Sequence, residues 1–463
     1  MRIVFGTSGW RGVIARDFTE ERVNRVIDAI AVFLRESGES GIIVGGDTRF
    51  LSPELARDAA TRLSAAGFEV RLADRPVPTP VLSHAVRRLR LGGVINFTAS
   101  HNPFMYNGIK FSPGHGGPAP SSVTTRIEEL IEAGASPEAG SGSLTVEDFV
   151  TPYTGDLELL VKRDVIAGSG LRAVYDAFNG TGSGILDVFL QHSGASVRTI
   201  HGRRDPLFDG RHPEPNEKGL AGLSEQVTVS RASVGLATDG DADRFGLVDE
   251  EGGYVSPHDY LALLFEYLVR DRGMEGIGVR STTTGSLMDR VAASLGRDVV
   301  ETPVGFKHLG AVMLERSVVL AGEESGGLSI GGHVPEKDGI LACLLACEMC
   351  ARRGVGLAVQ LRDFWSRYGR LAHRRIDLGL ADGIGDTVRK LFIENTPPSL
   401  GDLAVERVDS RDGRKLVLAG GASVLVRMSG TEPLARFYLE SGTDAGLDVL
   451  ESSIRAAIGA PQG

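Results

Sequence analysis

Cysteine is scarce in this chain, and the three that occur are crowded together. Cys343, Cys347 and Cys350 all fall in GILACLLACEMCARRG, which cannot staple a secreted disulfide scaffold. Cys347 and Cys350 make a C-x-x-C, a spacing also used for redox chemistry and metals. Steps of four and three, however, set all three on one face of an apolar helix, where cysteine acts as a small core hydrophobe. Basic excess is missing too: 50 Lys and Arg stand against 60 Asp and Glu, a formal net charge of −10. Nothing global therefore attracts nucleic acid or an anionic membrane, and an anionic ligand must be met by local basic residues. No apolar run approaches the ~20 residues of a membrane span, and MRIVFGTSGWRG lacks the apolar core of a signal peptide. A cytoplasmic protein is expected.

What is present is an ordinary globular composition, 42% hydrophobic and 24% charged over 463 residues, longer than the ~250–300 residues at which single cores stop growing. Several domains are expected. The helical spacing of Val23, Val26, Ile27, Ile30, Phe33 and Leu34 follows Thr19, an N-cap residue, and Glu20 and Glu21 suit a first turn. Then IIVGGDTRFLSPELARDAATRLSAAGFEVRLA is answered by LRAVYDAFNGTGSGILDVFLQHSGASVRTI and by GIGVRSTTTGSLMDRVAASLGRDVVET. Each reads as apolar strand, polar turn, helix, glycine break and second strand. The copies start roughly 105 to 130 residues apart, a domain spacing rather than a solenoid repeat. Three related α/β units with mixed sheets of parallel type are expected, with ligand loops at the strand C-terminal ends. The alternation in LVLAGGASVLVRMSG and ARFYLESG, closed by AGLDVLESSIRAAIG, predicts a final α+β domain with an antiparallel sheet. Boundaries are placed at 1–152, 153–253, 254–369 and 370–463.

Four loops carry the chemistry. TASHNPFMYNGIKFSPGHGGPAP is too rich in glycine and proline for regular structure, and it holds Ser100, His101 and Lys110. In DGDADR, Asp239, Asp241 and Asp243 alternate after an apolar strand. Carboxylates ~4 Å apart repel by about 4 kcal/mol at an effective dielectric near 20, so a convergent trio calls for a cation. Oxygen ligands favour Mg²⁺ or Ca²⁺. A calcium loop would use Glu250 at its twelfth position, but it needs glycine at the sixth, where Arg244 stands. Mg²⁺ commonly completes its shell with phosphate oxygens, which links the trio to a phosphorylated Ser100 as a further ligand. Lys110 is then placed to accept or donate a proton at the attacking hydroxyl. A Ser-His hydrolase is the other reading of Ser100 and His101, although adjacent residues rarely make such a pair and no G-x-S-x-G is present. RMSGTEPLAR supplies Arg427, Ser429, Gly430, Thr431 and Arg436, a set suited to grip a phosphate dianion. In AGEESGGLSIGGHVPEKDG, Glu323 and Ser325 are acceptors fitted to sugar hydroxyls, followed by Lys337.

Taken together, TASHNP, DGDADR, GEES and RMSGTEP, in that order over essentially the whole chain, resemble the signature loops of the α-D-phosphohexomutase superfamily. The resemblance implies a heart-shaped enzyme of four domains around a central cleft, converting hexose 1-phosphate to hexose 6-phosphate. It implies Ser100 as the active-site phosphoserine and Asp239, Asp241 and Asp243 as the Mg²⁺ ligands. Arg244 is implied near the phosphoserine or substrate, and Arg11, in GTSGWRG, on the same cleft. A hexose 1,6-bisphosphate is the implied intermediate and activator, and a small sugar phosphate the partner of a monomer or homodimer. GEESGG with EKDG resembles the phosphoglucomutases, whereas SGTEP is more like the glucosamine branch and a phosphomannomutase stays open. Gly327 stands where other branches carry a histidine, for which His333 is a candidate substitute. A metal-dependent phosphatase would not need separate sugar and phosphate loops, and a catalytically silent binder would be expected to have lost the serine or an aspartate.

Overall fold

The computed structural model describes residues 2–6, 9–380, 383–428 and 434–459. Strand Gly41–Gly46 is followed by helix Ser52–Ala65 and then strand Glu69–Ala73, which pairs parallel to the first. Strand Arg172–Asp176, helix Leu186–His192 and strand Ser196–Ile200 repeat the unit, as do Ile277–Ser281, Leu287–Ser294 and Val299–Thr302. In each copy a third strand pairs parallel on the other side of the first: Gly93–Phe97, Val234–Thr238 or Val318–Glu323. A fourth, Tyr106–Pro113, Phe245–Val248 or Gly327–Ile330, returns antiparallel to the third. Tyr106–Pro113 thus corrects the expectation of an irregular segment there, since Ile109 and Phe111 are buried in the core of the first unit and strands on both sides pair with it. One four-strand mixed order thus occurs three times, and the first copy adds Trp10–Val13 and Ser143–Glu147 at its edges.

Apolar content explains why these strands are central: Ile42, Ile43 and Val44 are wholly buried, covered on both faces as parallel strands require. Helix Glu20–Glu36 buries Val23, Val26, Ile27, Ile30 and Leu34 on one stripe, with Glu20 and Glu21 at its positive end. Thr19 is its N-cap residue but makes no side-chain cap bond. The cysteine helix, Gly339–Arg353, differs from a one-faced helix, since every residue from Gly339 to Cys350 is buried. All three thiols are unpaired and buried, and burial pushes each upward, Cys350 to about 12.

A single apolar cluster runs from Val81 and Val86 through Leu186 and Leu236 to Leu264 and Leu341, welding the first three units. The last sheet has its own core around Val424, Phe437 and Ile454. Its strands run Ala372–Gly379, Leu434–Ser441, Ser423–Met428, Arg414–Leu418, Leu403–Asp409 and Ser399–Leu400 in spatial order, every pair antiparallel. Helix Asp444–Ile458 closes it, with the Thr443 hydroxyl accepting from Gly446 N. Polar contacts join this unit to the third, among them Ser286 Oγ donating to Glu440 and Lys415 Nζ donating to Glu301. Among the described residues no helix is long and apolar enough to cross a membrane.

Candidate active site

Ser100 follows strand Gly93–Phe97 with φ at 51°, a left-handed conformation that costs a non-glycine residue about 1–3 kcal/mol unless its surroundings enforce it. The enforcement is visible. Ser100 N donates to Thr98 Oγ1 at 2.9 Å, and Thr98 Oγ1 donates to Asp47 Oδ2 at 2.6 Å. Arg49, wholly buried, spreads its guanidinium under the loop and donates to the carbonyls of Ser100, Asn102, Pro103 and Tyr106. Arg49 also lies 4.8 Å from the Phe208 ring centroid of the second unit, so one cation fixes the loop and the junction.

The Ser100 hydroxyl is 1% exposed and donates to Asp239 Oδ2 at 2.6 Å. Asp239, Asp241 and Asp243 offer oxygens all within 4.8 Å of one another. Lys110 reaches across from the first sheet, its Nζ 2.6 Å from Asp241 Oδ2 and 2.8 Å from Asp243 Oδ2. Thr79 Oγ1 adds a bond to Asp241 Oδ2 at 2.5 Å and itself accepts from Asn96 Nδ2. Burial, then the neighbouring Asp241 and Asp243 charges, pushes the Asp239 carboxyl well up. Burial also acts on Asp243, but Lys110, Lys337 and Arg244 overcome it and hold that carboxyl low. Asp241 Oδ1 and Asp243 Oδ1 are buried with no hydrogen-bond donor. Unsatisfied buried carboxylate oxygens in a cluster of three suit a hard divalent cation such as Mg²⁺.

His101 Nδ1 lies 3.4 Å from the serine oxygen, long for a hydrogen bond. Burial, then the charges of Arg244 and Arg11, drives its pKa far down, so the ring is neutral. The short serine bond goes to a carboxylate, an arrangement unlike a Ser-His pair. Arg11 donates to Asn102 Oδ1, and burial and Arg244 lower its pKa to about 10. Arg244 N donates to Asp239 Oδ1 at 3.1 Å, and Arg244 lines a cleft of about 930 Å³ together with Thr283, Glu324, Ser325, Arg375 and Tyr438. Glu250 lies apart from the carboxylates, accepting from Ala358 N and Val359 N at the start of helix Leu357–Tyr368.

Glu323 is 5% exposed and accepts from Gly305 N at 2.8 Å. Burial and the neighbouring Glu324 push its carboxyl up to about 7. Lys337 Nζ sits 2.8 Å from Glu336 Oε1, 3.3 Å from Asp243 Oδ2 and 5.3 Å from the Phe306 ring centroid. Its stem crosses Gly327 so closely that a Cβ there would stand 2.2 Å from Lys337 Cδ. Lys337 therefore fills the space a side chain at 327 would need. His333 turns elsewhere, with Nε2 2.7 Å from Asp338 Oδ2, an oxygen that also accepts from Tyr153.

In the last unit Arg427 and Arg436 are cross-strand partners. Arg427 Nε lies 3.0 Å from Asp412 Oδ1 and Arg436 Nε 4.0 Å from Asp377 Oδ2. Ser429, Gly430 and Thr431 lie outside the described residues. Sequence reading passed over Asp47, Arg49 and Thr79. The one signal for Asp47 and Arg49 was a pair of opposite charges ending the wholly apolar strand GIIVGG.

The chain matches four sequence families in order, described as Phosphoglucomutase/phosphomannomutase alpha/beta/alpha domain I over residues 2–138, domain II over 151–253, domain III over 256–368 and the C-terminal domain over 389–457. It is 30% identical to a phosphoglucomutase/phosphomannomutase of Thermococcus kodakarensis, covering 98% of this chain and 99% of that one. A probable phosphoglucosamine mutase of Methanobrevibacter smithii is also 30% identical, over 95% and 94% of the two chains. A crystal structure from Thermus thermophilus, provisionally assigned as a phosphomannomutase, has 34% identity and a TM-score of 0.88, covering 99% of this chain and 100% of that chain. With full-length coverage, four matching domain families and the loops in the same order, the chain belongs to the phosphoglucomutase/phosphomannomutase family of the α-D-phosphohexomutase superfamily.

Proposed function

We propose that this phosphohexomutase acts on glucose phosphates through a phosphoryl group carried on Ser100, with a hexose 1,6-bisphosphate as intermediate and activator. The observation that carries the reading is the junction of two loops: a buried serine hydroxyl 2.6 Å from Asp239, with Lys110 bridging Asp241 and Asp243. A hydroxyl held this way is positioned to take up and hand on a phosphoryl group, and transfer of this kind is governed by positioning and charge. Asp239, Asp241, Asp243 and the serine oxygen would hold Mg²⁺, which supplies Lewis-acid polarisation of a phosphoryl group.

The remaining roles belong to the protein's own groups. Burial opposes the ammonium of Lys110, yet Asp241 and Asp243 outweigh it and keep Lys110 protonated, placed to give a proton at a sugar or serine oxygen. Arg244 and Arg11 face the same charge. Glu323 and Ser325 accept from sugar hydroxyls, and Arg427, Ser429, Gly430, Thr431 and Arg436 receive the phosphate that is not reacting. Distant phosphate binding of this kind can be used to orient the reacting end. Lys337, pinned between Glu336 and Asp243, links the sugar loop to the carboxylates. The acidic balance and the metabolic substrate are consistent with a cytoplasmic enzyme.

Glucose is preferred because GEESGG with EKDG is read as the phosphoglucomutase form of the sugar loop. Glucosamine phosphate is the second reading, supported by SGTEP and by the 30% identical relative of that kind. Mutase assays on glucose, mannose and glucosamine 1-phosphates, with one preparation and a bisphosphate activator, decide between them. The highest kcat/KM is expected for glucose 1-phosphate; a higher value for glucosamine 1-phosphate overturns the sugar assignment and leaves the phosphoryl chemistry intact.

A further inference from the structure

The hairpin loop between strands Leu403–Asp409 and Arg414–Leu418 reaches from the last unit onto the third, where Arg411 donates to the Glu301 carbonyl. Asp412 stands at its tip with both carboxylate oxygens engaged, on different domains. Oδ1 takes Arg427 Nε at 3.0 Å, and Oδ2 accepts from Val304 N at 2.7 Å. The residue after Val304 is Gly305, whose N–H donates to Glu323. Gly413, at φ 81°, makes the approach possible: a Cβ there would stand 2.8 Å from Arg427 Cγ and 2.3 Å from Val426 O. The phosphate arginine and the backbone that fixes the sugar-loop carboxylate therefore share a single anion.

We propose that Asp412 is a positioning residue that couples the site of the nonreacting phosphate to the sugar-recognition loop. This rests on the reading of Arg427 as a phosphate ligand. A phosphate dianion arriving at Arg427 must compete with the Asp412 carboxylate and lie beside it, so part of its attraction to the guanidinium is offset. The same carboxylate keeps residues 304–305, and through them Glu323, in register with the last unit. Asp412 thus holds ground-state phosphate binding down while keeping the two recognition loops in one geometry, a trade that favours turnover over affinity.

Asp412→Asn separates the two roles, because an amide oxygen can still accept from Val304 N while the charge is gone. Calorimetric titration with inorganic phosphate needs no turnover and is the primary test. Asp412→Asn is expected to bind phosphate about two- to fivefold more tightly than wild type, the range for loss of a partly exposed opposing charge, and KM for the hexose 1-phosphate should fall with it. In an Arg427→Ala background the same change should have no effect on phosphate affinity. Asp412→Ala, which also releases Val304, should lower kcat, and its cost in kcat/KM should be non-additive with that of Glu323→Gln. Unchanged or weaker phosphate binding by Asp412→Asn, tightening that persists without Arg427, or strict additivity with Glu323→Gln would each overturn the proposal. Wild-type protein that binds phosphate but lacks mutase activity would instead refute the functional reading, leaving the titration to decide the role of Asp412.

Discussion

Arg49 is the side chain on which the geometry of Ser100 most depends, so its removal should separate chemistry from binding. Its guanidinium and the Asp47 carboxylate are both wholly buried, 3.2 Å apart, and four loop carbonyls accept from it. Truncating one partner of a buried pair costs about 3–5 kcal/mol, because the other charge is left uncompensated. Part of that cost is relieved when Asp47 takes up a proton, since burial already pushes its carboxyl up against the opposing pull of Arg49 and Thr98. The rest falls on the loop, where Ser100 is held at φ 51° and the four carbonyls lose their shared donor. A shift of about 1 Å in a reacting group costs on the order of 10²-fold in rate. Arg49→Ala is therefore expected to lower kcat about a hundredfold while changing KM only a few fold, since Arg49 contacts backbone rather than the cleft. Guanidinium added to the assay should restore part of the rate. Arg49→Lys keeps the charge for Asp47 but cannot reach four carbonyls from one ammonium, so it should regain stability in urea titrations and little turnover. Wild-type turnover in Arg49→Lys would refute the reasoning.

Asp241→Asn should lower turnover far more than stability, since it removes a proposed metal ligand and relief of carboxylate repulsion offsets part of the loss of its short contacts with Lys110 and Thr79; exhaustive chelation should mimic the loss of turnover, and full activity in chelator contradicts it. Gly327→Ala drives a Cβ into the Lys337 stem and should displace the ammonium from Asp243 and Glu336, lowering kcat at least tenfold; a fully active Gly327→Ala enzyme would show that the packing is incidental. Two carboxylates should give stability slopes of opposite sign. Glu323, raised to about 7, favours the folded state below its ordinary pKa near 4.3, and about 4 kcal/mol is lost as pH rises from there through 7, a fall absent in Glu323→Gln. Glu440 is drawn down to about 2 despite burial, by the His373 contact and the Ser286 donors. It stabilises above pH ~4.3, and about 3 kcal/mol is lost as pH falls toward 2, an acid limb that urea titrations of Glu440→Gln should lack.

The threefold unit was legible because strand, polar turn and helix repeat in sequence at domain spacing, and parallel strands buried on both faces read as apolar runs. The loops were legible because glycine, serine and aspartate cluster where chains turn, and four such clusters here carry groups of matching chemistry in one order. What escaped depends on partners distant in sequence. Arg49 reads as a turn residue until the carbonyls of residues 100–106 are folded over it. Thr79 reads as the start of a helix until Asp241 arrives from the second unit. His333 lies nearer in sequence to Gly327 than Lys337 does, yet Asp338 and Tyr153 claim its surroundings and the lysine stem occupies the space at Gly327. The helix at Gly339–Arg353 reads as one-faced on its cysteines, but elements of the second and third units pack around it and its first twelve residues are buried.

The central claim is that Ser100 carries the phosphoryl group between substrate positions. It is tested most directly by incubating the enzyme with Mg²⁺ and hexose 1,6-bisphosphate and mapping phosphorylation by intact mass and peptide analysis, beside Ser100→Ala. One phosphoryl group on Ser100 is expected, passed to added hexose 1-phosphate as the 6-phosphate forms, with neither event in the alanine variant. Mutase turnover at the wild-type rate in Ser100→Ala, or a stable phosphoryl group on another residue, would contradict it.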